Sequence, residues 1–195
     1  MGLNRIYNDY ASNCVDIKQK ISKYARFSSY GSILMTERLF EIFFMRFEAL
    51  IEETFIAYAM GNLSIKGTDP GRKILLTDRM EIIGLVSGQK DYPDWTRWDY
   101  IIDIANLFFG ISPYNELKNH LSNLNDLKTI RNALAHISGS SQDKFASLVR
   151  RKLTYYPPAF TVKDFLYYRV GDIKSQIYFQ EYVDSSLAAA KVICE

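Results

Sequence analysis

Cysteine is nearly absent. Only Cys14 and Cys194 occur among the 195 residues, close to opposite ends of the chain and outside any zinc or redox spacing. Two cysteines so placed exclude a disulfide-rich scaffold and read as free intracellular thiols. No stretch approaches the roughly 18 uncharged apolar residues that a membrane-spanning helix needs. The start, "MGLNRIYNDY", carries charge where a secretory signal would have its apolar region. The expected location is therefore cytoplasmic, with no membrane partner. An excess of one charge is also missing: the formal net charge is +2 and the pI about 8.4, so any attraction to a polyanion must come from local clustering. No group of His, Cys and carboxylates has metal-ligand spacing, and "EALIEE" has no Glu-x-x-His partner of the di-iron kind, so neither metal nor cofactor is expected. The turn-rich segment "GNLSIKGTDPGRK" lacks the closing Gly-Lys-Ser/Thr of a phosphate-binding P-loop and reads as a surface loop.

Apolar residues at 48% and charged residues at 24% place the chain among globular proteins, and its length predicts a single domain over residues 1–195. Fourteen Tyr and twelve Phe supply large buried areas, with a polar tip on each Tyr that suits an interface as well as a core.

Periodicity predicts helices almost throughout. Tyr7, Tyr10, Cys14, Ile17, Ile21 and Tyr24 recur at gaps of three and four between residues 6 and 26, marking one helix face. A long apolar helix follows from about 32 to 60, with Gly61 as its stop. A short helix is predicted over 78–87 with Thr77 as N-cap, and Trp95, Trp98, Ile102, Ala105 and Phe109 repeat the helical spacing up to Gly110. Ser112-Pro113 is a favoured helix opening, and that helix is predicted to run to about Ile137 before Gly139 ends it. Ser140 and Asp143 have capping-box spacing ahead of "KFASLVRRKL". The segment 154–171 contains Pro-Pro and is expected to be irregular or a hairpin. Ile173, Ile177, Val183, Leu187, Ala190 and Cys194 line a final helix. The fold class is all-α, an antiparallel bundle of four or five main helices with one irregular insertion.

One helix end is unusual. In "TIRNALAHISGSSQDKF", Leu127, Ile130, Leu134 and Ile137 form the core stripe, whereas Asn132 and His136, four apart, project from the opposite side toward solvent or a partner. Arg131 lies roughly 140° from His136 on an ideal helix, a poor angle for joint action within one chain. A polar helix face ending in His is common, and helix C-termini attract imidazolium. If the groups do meet, His can transfer protons near neutrality, Arg can clamp a phosphate with two N–H donors, and Asn can orient either.

The hexapeptide "RNALAH" resembles the R-x4-H signature of the HEPN superfamily, with a polar residue after the Arg. The long helix containing "RFEALIEETFIAY", the aromatic helix before Pro113, the motif near its helix end and the amphipathic final helix resemble prokaryotic HEPN ribonuclease-type proteins of the MAE-28990 and RiboL-PSP kinds. That resemblance implies a four- or five-helix bundle, commonly a homodimer, in which motif helices of two protomers form one metal-independent RNA-cleaving site. It gives His136 the role of general acid or base, Arg131 that of stabilising charge on the scissile phosphate, and Asn132 that of arranging both. It further implies attack by the RNA 2′-hydroxyl, a setting in toxin-antitoxin or phage-defence systems, and control by an antitoxin or other regulatory protein. The alternative is a catalytically silent HEPN module for dimerisation or partner binding. A DNA-binding helix-turn-helix has less support, because no short helix pair carries an exposed basic face.

Other residues have two readings each. Arg150, Arg151 and Lys152 form the densest basic run, either a solvated face or a rest for RNA phosphates, with Arg150 and Arg151 the RNA-binding candidates. Tyr155, Tyr156, Tyr167 and Tyr168 either pack or stack on unpaired bases. His120 reads as a solvated side chain. Glu48, Glu52 and Glu53 read as structural or surface charges, although a carboxylate from their helix could orient Arg131.

Overall fold

A computed structural model of the chain describes residues 2–24, 30–88, 92–136, 138–171 and 176–195. Among the described residues the chain is an all-α helical bundle, with isolated bridges between Arg72 and Phe109 and between Arg169 and Ile177 but no strand. The long helices are α1 (Leu3–Tyr24), α2 (Tyr30–Ala59), α5 (Leu121–Ala135), α6 (Gly139–Leu153) and α8 (Tyr178–Cys194). Shorter ones are α3 (Arg79–Ser87), α4 (Trp98–Phe108) and α7 (Val162–Tyr167), and a 3₁₀ segment spans Pro113–His120. No described helix is long and apolar enough to cross a membrane, since charged residues interrupt even α2.

Two compact units are distinguished. The first comprises Met1–Ser12, Arg46–Leu121 and Ser186–Glu195. Its core is aromatic: Phe55 has ring centroids within 5.1 to 5.6 Å of Trp95, Phe108, Phe109 and Tyr114. Buried hydroxyls find partners, as burial requires. Tyr114 and Thr54 lie 2.7 Å apart, Tyr58 donates to the Ile193 carbonyl at 2.7 Å, and Tyr10 donates to Ser186 at 2.7 Å. Beyond the end of α2, Gly61 has φ +91°, and a Cβ there would stand 2.7 Å from the Arg72 guanidinium carbon, so glycine suits both the turn and the approach.

The second unit comprises Asn13–Met45 and Ser122–Ser185. Cys14, Ile17 and Ile21 of α1 are buried, as their spacing predicts, and Phe40 and Phe43 of α2 pack on Phe179. The insertion holds a helical turn, α7, opened by a complete capping box in which Thr161 and Asp164 bond each other's backbone. Phe165 of that turn stacks on Tyr178 with centroids 4.7 Å apart.

Several boundaries differ from expectation. The helix predicted from Ser112 to Ile137 is instead a 3₁₀ segment followed by α5; Tyr114 and Leu117, three apart, are both buried, the register that 3₁₀ geometry eclipses. Asp78, not Thr77, caps α3, accepting from Met80 N and Glu81 N at 2.7 and 3.1 Å. Trp95 is buried but precedes α4, in a turn where Asp94 accepts from Thr96 N at 3.0 Å. Gly139 opens α6 behind Ser138 as N-cap, so Ser140 and Asp143 lie inside the helix and form no capping box. His120 is half-buried at the end of the 3₁₀ segment. Ile137 and Ile173, assigned to core stripes by spacing, lie outside the described residues.

Candidate active site at the end of α5

Leu124, Leu127, Ile130 and Ala133 anchor α5 in the second unit, while Leu134 is only half-buried. That anchoring turns Arg131, Asn132 and His136 away from the core. Arg131 and Asn132 are half-buried, and Arg131 Nη1 donates to Asn132 Oδ1 at 3.1 Å. Arg131 also lines a pocket of about 200 Å³ with Ala135 and with Arg38, Glu41 and Met45 of α2.

His136 follows the last helical residue and is exposed. Its backbone N–H donates to the Asn132 carbonyl at 3.0 Å, closing the final turn. Among the described residues its imidazole has no partner, and it does not line the Arg131 pocket. The chain bonds Arg131 to Asn132, while the His136 imidazole joins neither that bond nor the Arg131 pocket. The end of α5 is tied down from α6, where Gln142 Nε2 donates to the Ala133 carbonyl at 3.0 Å.

Arg38 and Glu41 form an ion pair at 3.1 Å beside Arg131. One turn earlier, burial pushes the Glu37 carboxyl above its usual value, and the negative charge of Glu41 adds to the effect. Glu52 and Glu53 have a partner in their own unit. Both pair with Arg79, at 2.6 and 2.9 Å, and Glu52 also accepts from the Tyr92 hydroxyl at 2.5 Å. The α2 carboxylate that lines the Arg131 pocket is Glu41, which the sequence does not single out.

The basic run divides by partner. Arg150 sits over the Tyr156 ring at 5.6 Å. Arg151 and Lys152 both pair with Asp126, the latter at 3.2 Å, and the Tyr182 hydroxyl donates to the same carboxylate at 3.2 Å. Asp126 is only 2% exposed. Burial, followed by the Asp126 charge, drives the Tyr182 phenol far above its ordinary value. Asp126 escaped the sequence reading, yet a signal existed: it falls about 40° from Ile130 on the wheel, an acid on the core stripe that must find a cation. Tyr167 is turned inward, its hydroxyl bonded to Thr36 and to the Ile21 carbonyl, while Tyr155 and Tyr168 remain exposed.

No group of three or more His, Cys, Asp or Glu suited to a metal ion exists among the described residues. In comparisons with known proteins, no protein-family model, no curated protein and no solved structure matches the chain.

Proposed function

We propose that this protein is a metal-independent endoribonuclease of the HEPN type, working as a homodimer in the cytoplasm within a prokaryotic toxin-antitoxin or phage-defence system, and restrained by an antitoxin or other regulatory protein. The observation that carries the reading is an R-x4-H motif at the exposed end of a bundle helix, with Arg131 braced by Asn132 and His136 free to meet a substrate.

Two copies of the motif resolve the angular problem, because a twofold axis brings one chain's His136 toward the other's Arg131. The apolar surface beside the Arg131 pocket supports such pairing: Leu34, Met35, Ile42 and Met45 are exposed on one side of α2. In the reaction the RNA 2′-oxygen attacks the adjacent phosphorus and the bond to the 5′-oxygen breaks. One His136 accepts the 2′-hydroxyl proton and the other protonates the leaving oxygen, giving a 2′,3′-cyclic phosphate and a 5′-hydroxyl. Arg131 offsets charge on the non-bridging oxygens. DNA lacks the nucleophile and resists cleavage.

The test is incubation of mixed RNA with purified chain in EDTA, beside His136→Ala and Arg131→Ala. Chelator-resistant cleavage lost in both variants, with cyclic-phosphate ends, is expected. Equal activity in all three proteins would expose a contaminant. A second reading, a silent module for dimerisation or partner binding, is favoured by the lack of any bond between the His136 imidazole and Arg131 among the described residues, and absence of cleavage by the wild-type chain would select it.

A further inference from the structure

An open groove of about 420 Å³ lies along α6, lined by Asp143, Lys144, Ser147, Leu148 and Arg151 together with Thr129 of α5. Thr129, Asn132 and His136 recur at gaps of three and four, so they share one side of α5, and the rise per residue separates Thr129 from His136 by about 10 Å. The groove therefore borders the His136 side of the motif, away from the Arg131 pocket.

Its charge suits an anion. The lining sets Lys144 and Arg151 against Asp143, and Asp126, the partner of Arg151, also pairs with Lys152. One positive charge is left in excess. The Arg151 side chain is 54% exposed, so its guanidinium, with five N–H groups, can face the groove while pairing with Asp126.

Just past the end of α6 the backbone is strained. Thr154 has φ 68° and Ala159 φ 55°, two non-glycine residues in the left-handed region. Such conformations persist where the surroundings impose them and cluster at functional segments. This one displays Tyr155 and Tyr168, 52% and 37% exposed, with hydroxyls 3.4 Å apart. Phe160 packs edge-on against both Tyr168 and Tyr156.

We infer that the groove and the tyrosine pair form one subsite for single-stranded RNA flanking the cleaved linkage: Lys144 and Arg151 take backbone phosphates, and Tyr155 and Tyr168 stack on an unpaired base. The placement beside the scissile bond rests on the ribonuclease reading; the binding itself does not. An unpaired strand is specified because stacking needs a free base face, which a duplex withholds.

The test uses the full chain and a fluorescent 2′-O-methyl RNA of about twelve nucleotides, within the usual range of single-strand sites. This probe cannot be cleaved. Lys144→Glu is expected to weaken binding about tenfold and to flatten its salt dependence. Tyr155→Ala with Tyr168→Ala should weaken it about tenfold or more, and the corresponding Phe pair should bind within about twofold of wild type. Thermal melts identify folded variants. Unchanged affinity in folded Lys144→Glu, a Phe pair as weak as the Ala pair, duplex bound as tightly as single strand, or poly-glutamate peptide bound as tightly as RNA would overturn the subsite. Groove-dependent binding without cleavage of ordinary RNA would keep the subsite and sink the ribonuclease reading. Cleavage whose KM ignores these substitutions would do the reverse.

Discussion

Arg131 donates through Nη1 to the Oδ1 of its neighbour Asn132 at 3.1 Å, so the motif's cation is held by a residue one position along the same helix. That bond leaves the rest of the guanidinium facing the pocket shared with Glu41 and Met45.

If Arg131 supplies charge to the scissile phosphate, Arg131→Ala should lower kcat by about 100-fold or more. Asn132→Ala should lower it less, roughly tenfold, because the guanidinium remains but loses its brace. Asn132→Asp keeps an acceptor and should recover part of the loss. Steady-state cleavage of a defined RNA measures all three, and equal activity of Asn132→Ala and wild type would remove the positioning role.

Asp126 is a stability centre independent of any activity. Its replacement by Ala strips Tyr182 and Lys152 of a shared buried partner, and breaking such a cluster costs roughly 3 kcal/mol. Arg151 contributes little to that sum, since its exposed end is screened by water. Urea denaturation should show a clearly lower midpoint for Asp126→Ala. A shift as small as that of a surface substitution would contradict this account.

Glu37 should give a pH signature. Its carboxyl is raised above the ordinary 4.5 by burial first and by Glu41 second, so the folded chain holds the proton more tightly than the unfolded chain. The associated stability is present below the ordinary value and is lost as pH rises through the folded-state value. Glu37→Gln should therefore raise the denaturation midpoint near neutrality and have little effect in acid. A gain confined to acid would invert the assignment.

Thr154 tests the strained end of α6. A β-branched residue at φ 68° is costly where glycine is not, so Thr154→Gly should stabilise the chain by about 1 kcal/mol. Its hydroxyl bond to the Leu153 carbonyl offsets part of this. Thermal unfolding would decide it, and destabilisation would show that the hydroxyl outweighs the strain.

Burial, with Glu195 as a lesser cause, pushes the Cys194 thiol up to about 12. The thiolate is then scarce at mildly alkaline pH, and Cys194 should resist iodoacetamide in the native chain and react on unfolding. Mass spectrometry of labelled peptides checks this; rapid native labelling would be inconsistent with the buried site.

Local pattern made much of this protein legible. The spacing of Tyr10, Cys14, Ile17 and Ile21 marks the buried side of α1, and the position of His136 opposite Leu127 and Ile130 announces an exposed imidazole. Those features depend on neighbours within about three helical turns, which the sequence lists in order. The tertiary structure alone decided that Asp126 meets Arg151 and Lys152 from another helix, that Glu41 lines the Arg131 pocket while Glu52 pairs with Arg79, and that burial of Tyr114 and Leu117 accompanies a 3₁₀ segment at the start of a predicted helix. The ion pairs and the pocket join groups distant along the chain, and periodicity reports which side of a helix is buried without reporting what buries it.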